Sequence, residues 1–425
     1  MAVSLANLVS LKDCIAVVAE SRPQRAPEKI LNIRVEQLSD QPGYLGEYAY
    51  LLVTVEDIKG CNHELRYFVK SLPYSDPKQR KIVQEFGMFA KEAHIYRDLF
   101  ALFEQSQGKV TKWRPNCWLM KDDLLIIEDL QGQGFKTMPY GQDFNKEHML
   151  LMLDCMAQMH ACSLNLEYNR MGGEKLEPKF SPILFEGTIK RDNAWFEVGL
   201  KAIQQAALSY SKYSENAKYR KVIQEEMMPR MDKVYDLVQP TDRYQCVINH
   251  RDLWYGNMMF QFAKGSKDES VDYTKPTSCL LIDFQLSRYL PPAVDFMCAI
   301  YLLTKRAHRD ELFETYVQHY YKQLSENLSK LNLKVDKILP KSQFLTSLEH
   351  FRLVGLLLSG YLLPYVNLPD CYMAKLLQKD PDAYYEFGLV CRDKVLQEHL
   401  QQGGYFRDCF LDVINETVEF LFGFK

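Results

Sequence analysis

Between Val247 and Phe260 a cluster of polar side chains is set between two apolar runs, and this stretch limits what the chain can fold into more than any other. Val247-Ile248 on one side and Met258-Met259-Phe260 on the other read as short buried segments. Between them stand Asn249, His250, Arg251, Asp252 and Asn257, the arrangement expected of a loop that carries chemistry. Beyond a polar insert, a further apolar run, Cys279-Leu280-Leu281-Ile282, ends abruptly in Asp283-Phe284-Gln285. The segments Met258 to Phe262 and Ser278 to Asp283 pair as a hairpin whose tip, Lys264 to Lys275, is polar.

The spacing His-x-Asp-x4-Asn, followed by a strand ending in Asp-Phe, is the two-part grammar of kinase-type phosphoryl transfer. That chemistry needs one carboxylate beside the acceptor hydroxyl, to orient it and take its proton, and Asp252 is the candidate. It needs a second carboxylate and an amide oxygen to hold Mg2+ against nucleotide phosphates, because hard cations prefer oxygen ligands and keep room for phosphate and water. Asp283 and Asn257 supply those oxygens. Read residue by residue, Asp252 and Asn257 also suit turn formers and Asp283 a strand terminator, each bonded to local backbone.

Charge and cysteine narrow the function classes. The 52 basic and 55 acidic side chains give a net charge of -3, with no dense Lys or Arg cluster, so the chain has no field with which to hold nucleic acid. Eleven cysteines lie scattered, mostly in apolar runs and without a C-x-x-C pair. They imply a reduced, cytoplasmic setting more than a disulfide framework or a zinc site. Met1 to Glu20 reads as a short amphipathic helix, and the most apolar stretch, Leu353 to Leu368, has 16 residues and reads as a buried helix with no membrane span.

In chain order, Gly43 and Gly46 precede the β-rich run Tyr48 to Val55. Two glycines there let backbone amides approach phosphates, or simply make a turn. Glu64 to Lys70 is a second strand. From Gln84 to Phe100 the residues Phe86, Phe89, Ala93, Tyr96, Leu99 and Phe100 recur at helical spacing, and Glu92 falls on that apolar face. A carboxylate there requires a cation or hydrogen-bond donors, and Lys70 on the strand just upstream is the natural partner. Cys117 to Met120 and Leu124 to Ile127 flank a turn at Lys121-Asp122-Asp123. Glu128-Asp129-Leu130 then leaves the strand, where a β-rich lobe hinges to a helical one and backbone groups hold adenine.

Helices follow at Met149 to Leu164, where His160 reads as a core histidine, at Ala194 to Leu208 and at Tyr219 to Val238. The aperiodic stretch Asn165 to Asp192 between them suits acceptor recognition or an ordinary surface loop. Asp295, at the start of another helix, suits either a cap or a brace for the catalytic loop. The rest reads as helices at Asp310 to Ser325, Gln343 to Leu363, Pro381 to Gln401 and Phe406 to Phe422.

These residues together resemble the CHK-kinase-like, or ecdysteroid-kinase-like, family of insects and nematodes, relatives of choline kinases and aminoglycoside phosphotransferases. Some insect members are called juvenile hormone-inducible proteins. The matching residues are Phe68-Val69-Lys70, Phe89-x-x-Glu92-x-x-x-Tyr96, Ile127 to Leu130, Gly134-Phe135, Met159 to Ser163, the His250 to Phe260 loop, Ile282 to Arg288, and Asp295. The resemblance implies an α+β, protein-kinase-like fold: a small β-rich N-lobe over residues 1–130 and a larger, mostly helical C-lobe over 131–425. It implies ATP-dependent phosphorylation of a small-molecule hydroxyl, with ecdysteroids among the acceptors.

Carried over by position, Lys70 contacts the α- and β-phosphates, Glu92 holds Lys70, Asp252 is the base, and Asn257 and Asp283 bind Mg2+. Gly43 and Gly46 match the glycine loop loosely, and Glu128 and Leu130 lie at the adenine edge. His250 and Arg251 complete the catalytic loop. The family usually has glycine where Arg251 stands, and a bulky cation there either reshapes the acceptor site or pairs with a nearby carboxylate. Arg251 and the loose glycine loop also fit a second class of function, a catalytically weak kinase-fold protein that binds a hormone or a protein partner.

Overall fold

Ala49, Leu51, Val53 and Val55 alternate along one strand and bury one face of a sheet, while Tyr48, Tyr50 and Leu52 turn to the other. The sheet is the first structural unit of the computed structural model, which describes residues 8–25, 28–38, 46–106, 112–264 and 271–424. It has five antiparallel strands, β1 (Lys29–Gln37), β2 (Glu47–Glu56), β3 (Asn62–Ser71), β4 (Cys117–Lys121) and β5 (Leu124–Glu128), in the order β1-β2-β3-β5-β4. Helix α1 (Leu11–Ser21), capped by Ser10, closes one face through Cys14, Val17 and Val18. The opposite face carries α2 (Pro77–Phe86) and α3 (Met88–His94), whose Phe89 and Ala93 pack with Leu72, Val83, Leu125 and Ile127.

One helix expected over Gln84 to Phe100 is in fact three pieces. Gly87, at φ +67°, ends α2 and begins α3 in a left-handed turn. After His94 the backbone widens into a π-helical segment, Ile95–Phe100, before α4 (Ala101–Ser106). Phe86 and Phe89 therefore do not share one helix face. Strand β1 was not apparent in the sequence, because only half of its alternating pattern is apolar and none of its residues is fully buried.

The remainder is mostly helical. Its first helices are α5 (Lys146–Asn165), α6 (Leu176–Phe180), α7 (Ala194–Tyr210), α8 (Ala217–Met231) and α9 (Val234–Leu237). Two short antiparallel pairs follow: β6 (Val247–Asn249) with β9 (Arg288–Leu290), and β7 (Met258–Lys264) with β8 (Val271–Leu281). Then come α10 (Pro292–Leu303), α11 (Arg306–Lys330), α12 (Val335–Ile338) and α13 (Lys341–Val366). The last helices are α14 (Tyr372–Lys379), α15 (Pro381–Leu389), α16 (Asp393–Gln402) and α17 (Tyr405–Phe422). The helix expected over Pro381 to Gln401 is thus two, and the one over Tyr219 to Val238 is also two.

The architecture is α+β and protein-kinase-like in outline: a small antiparallel sheet set against a larger helical part. A single apolar core runs through the helical part and extends to Tyr96, Phe100 and Trp113. Among the described residues no single helix is long and apolar enough to cross a membrane; α13 and Pro369–Lys379 reach that composition only as a pair bent by 63°.

Candidate active site

Register on the sheet places the first site residue. Lys70 on β3 lies opposite Tyr48 on β2 and Leu125 on β5, which turns its side chain to the face covered by α3. There Lys70 Nζ donates to Glu92 Oε2 at 2.6 Å and meets Asp283 Oδ1 at 3.1 Å. The other oxygen of Glu92, Oε1, accepts the backbone N–H of Phe284 at 3.0 Å. One carboxylate on α3 thus fixes both the strand lysine and the segment after β8. The ring of Phe284 reinforces the link, lying edge-on to Tyr96, Phe100 and Trp113 and 4.9 Å from the His250 ring.

The loop from His250 to Asn257 is built from buried polar contacts. Asp295, fully buried on α10, accepts the backbone N–H groups of His250 at 2.6 Å and Arg251 at 2.8 Å. It therefore acts as a brace and not as a helix cap, since α10 opens at Pro291 and Pro292. His160, read from sequence as a core histidine, bonds Tyr320 Oη at 2.7 Å and lies 3.4 Å from Asp295 Oδ2. His250 accepts the Asp252 N–H at Nδ1 and donates from Nε2 to the Ile282 carbonyl. Those two bonds select one neutral tautomer and tie the loop to the end of β8.

Asn257 donates its amide N–H groups to the Asp252 carbonyl at 2.9 Å and to Asp252 Oδ2 at 2.7 Å. Its side-chain oxygen is left as the atom it can offer a cation. Lys70, Glu92, Asp252, Asn257 and Asp283 all line one cleft of about 740 Å³. Among the described residues no group of three or more His, Cys, Asp or Glu side chains converges as a self-sufficient metal site. A carboxylate and an amide oxygen facing an open cleft suit Mg2+, which keeps water and takes phosphate oxygens for its other ligands.

The electrostatics follow from burial. It pushes the Asp252 carboxyl up to about 7, aided by the neighbouring Asp283 charge and opposed by the Asn257 hydrogen bond. It also holds the His250 imidazole below its usual range. For Lys70, burial acts downward but Asp283 and Glu92 outweigh it, so the ammonium stays charged. Glu92 is raised by its burial and by Asp283, with Lys70 pulling the other way.

Two of the site residues have backbones in the left-handed region: Arg251 at φ +72° and Asp283 at φ +65°. Aspartate tolerates this; a long side chain does so at a cost of about 1–2 kcal/mol, which glycine avoids. That is the physical reason a glycine suits the position of Arg251. The Arg251 side chain, buried, does find a carboxylate: Nη2 lies 3.4 Å from Glu186 Oε2, on the irregular stretch before α7.

The residues expected at the nucleotide edge are less uniformly placed. Gly43 lies outside the described residues. Gly46 does not line the cleft; a Cβ there would sit 2.9 Å from the Ser71 carbonyl, so its absence lets β2 and β3 meet. Glu128 lines the cleft but its carboxylate is held by Lys112 at 2.6 Å and by the Asn116 N–H at 2.9 Å. The Leu130 carbonyl accepts the N–H groups of Gln133 and Phe135, and its side chain packs with Phe135, Met259 and Leu280.

Sequence reasoning missed the far wall of the cleft. Trp195 from α7, Tyr361 and Tyr365 from α13, and Tyr384 from α15 stand ring to ring, with Trp195 to Tyr384 centroids 5.9 Å apart. The buried Arg392 fixes them, donating to the carbonyls of Tyr361 at 2.9 Å and Trp195 at 3.1 Å. Only the number of aromatic residues hinted at such a wall, and that number also suits an ordinary core.

A family model described as the ecdysteroid kinase-like family matches residues 43–333. No curated protein matches the chain by sequence. Among solved structures, a Plasmodium vivax ethanolamine kinase is 12% identical with a TM-score of 0.43, over 91% of this chain and 87% of that one. A choline kinase from Streptococcus pneumoniae is 13% identical with a TM-score of 0.39, over 97% and 99%. The GDP complex of an aminoglycoside 2'-phosphotransferase is 12% identical with a TM-score of 0.33, over 91% and 97%. At such scores these likenesses are loose, and the functional reading rests on the family match and on the residues themselves.

Proposed function

Because the chain belongs to the ecdysteroid kinase-like family, we propose that it transfers the γ-phosphate of ATP to a hydroxyl group of an apolar small molecule, an ecdysteroid or a comparable alcohol. The observation that carries this reading is the convergence of Lys70, Glu92, Asp252, Asn257 and Asp283 on one cleft. In it Lys70, kept charged and held by Glu92, holds the α- and β-phosphates. Asn257 and Asp283 hold Mg2+, which when bound neutralises charge on the phosphates. Asp252 accepts the acceptor's hydroxyl proton as the new O–P bond forms and the bond from the γ-phosphorus to the β-phosphate oxygen breaks, leaving ADP. His250 and Arg251, through the two N–H groups that Asp295 grips, set the position of Asp252. Glu128 and Leu130, which line the cleft, form the nucleotide edge.

Acceptor recognition falls to the aromatic wall. Trp195, Tyr361 and Asp252 line the same cleft. An acceptor laid on Trp195 and Tyr361 would therefore present a hydroxyl to the base while its apolar body is desolvated. We place the lobe boundary at Leu130 and Gln131, between residues 1–130 and 131–425. The eleven free thiols suit the cytoplasm. The test is transfer of labelled γ-phosphate from ATP to a panel of alcohols that begins with ecdysteroids. Label on an acceptor in wild type and none in Asp252→Asn supports the reading. If the panel stays unlabelled while nucleotide binds, the protein is a kinase-fold binding protein instead.

A further inference from the structure

Beneath the irregular stretch before α7, two guanidinium groups meet one carboxylate and a lysine lies close by. Arg251 Nη2 and Arg288 Nη1 lie 3.4 Å and 3.6 Å from the same oxygen of Glu186, Oε2. The other oxygen, Oε1, is taken by the N–H groups of Thr188 and Ile189, both at 2.9 Å. Lys91, on α3 next to Glu92, is buried close by and donates to the Phe185 carbonyl at 2.9 Å. The three cationic side chains are nearly inaccessible, Arg251 at 2% exposure.

The donors outnumber the acceptors. Among the described residues, Arg251 Nε and Nη1 and Arg288 Nε are buried without a hydrogen-bond partner. The remaining Arg288 nitrogen, Nη2, donates to the Val238 carbonyl at 3.0 Å. Buried guanidinium N–H groups left unpaired are costly, and planar donor forks match oxyanions. The surplus of positive charge is also felt by Lys91, which burial pushes down to about 7, with Arg288 and Arg251 acting in the same direction and Glu186 against them. Among the described residues, Glu177 also acts on Arg288, while Asp252 is bonded by Asn257 and Asp295 is engaged by the loop N–H groups.

We propose that Arg251, Arg288 and Lys91 form a binding site for a tetrahedral oxyanion of the phosphate or sulfate class, separate from the nucleotide cleft, with Glu186 as its resident counter-charge. None of these four side chains lines the cleft. The site joins three parts of the molecule: α3, which carries Glu92; the catalytic loop, through Arg251; and β9. An anion bound there would hold these parts together at the foot of the loop, one residue from Asp252, and so link the ionic surroundings to the geometry of the reaction.

The experiment is calorimetric titration of the full-length protein with sodium sulfate, which stays a dianion throughout, against sodium chloride at matched ionic strength. Wild type should bind one sulfate, and Lys70→Met, which removes the cation of the cleft and none of the proposed ligands, should bind it as tightly. Arg288→Gln should bind at least ~10-fold more weakly, the loss of about one charge-assisted hydrogen bond. Arg251→Gly is the second variant, chosen because glycine suits φ +72° and the protein should fold; it should lose binding too. Glu186→Gln, freed of the competing carboxylate, should bind more tightly. Heats equal to those with chloride would overturn the proposal. So would binding that is lost in Lys70→Met and retained in Arg288→Gln and Arg251→Gly.

Discussion

Asp252→Asn should make the protein more stable while removing its activity. The carboxyl is buried against Asp283, and its pKa rises from 3.8 to about 7. At ~1.4 kcal/mol per pKa unit, keeping this group ionised in the native state costs about 4 kcal/mol. The raised value fixes the sign. Between pH 4 and 7 the native protein keeps a proton that the unfolded chain has released, so wild-type stability falls through that window and the full cost is present above 7. Asparagine never carries the charge, and its oxygen still accepts the bond that Asn257 now gives Asp252 at 2.7 Å. In urea melts with EDTA at pH 8 the variant should therefore be more stable by up to about 4 kcal/mol, the gap shrinking as the pH is lowered to 5. Phosphate transfer should fall roughly 10²- to 10⁴-fold, the usual contribution of a positioned base. A variant less stable than wild type at pH 8 would refute the reasoning and make Asp252 a turn former whose loss of activity reflects loss of structure.

Three further outcomes follow from the same contacts. Glu92→Gln leaves the buried Lys70 ammonium with Asp283 alone, and should cost about 3 kcal/mol in denaturant melts and weaken ATP binding; unchanged ATP affinity would show that Lys70 does not need the pair. Asp295→Asn gives the loop one acceptor oxygen where the carboxylate gives two, so kcat should fall with the ATP dissociation constant nearly unchanged; loss of ATP binding would contradict a role confined to the loop. In the metal-free protein the Asp252 carboxyl should lose its proton near pH 7, read by infrared titration of wild type against Asp252→Asn; a carboxyl already ionised at pH 5 would contradict the burial argument.

Local chemistry made the centre of the site legible. Lys70, Glu92, Asp252, Asn257 and Asp283 are buried or half-buried polar residues at the ends of apolar runs, and a charge in such a place stands out in a sequence. The Lys70 to Glu92 contact at 2.6 Å was inferred from a carboxylate on a helix face beside a strand lysine. The two hairpins were legible for the same reason, since alternation and turn residues act locally. Hidden features depend on distant segments or on backbone conformation. The Gly87 break looks like one tolerated glycine until its φ of +67° is known. The aromatic wall draws Trp195, Tyr361 and Tyr384 from three helices far apart in the chain, each unremarkable alone. Glu186 sits in an aperiodic stretch that gives no sign of facing Arg251 and Arg288.

The central claim is that the cleft is a working site for Mg2+ and ATP, and its most direct test is thermal stability of wild type and Asp283→Asn with ATP, in Mg2+ or in EDTA. At ~100 times its dissociation constant the nucleotide should stabilise the wild type by about 2.7 kcal/mol, in Mg2+ only. That metal-dependent gain should vanish in Asp283→Asn. No gain in folded wild type at saturating ATP and Mg2+, or an equal gain in the variant, would contradict the account.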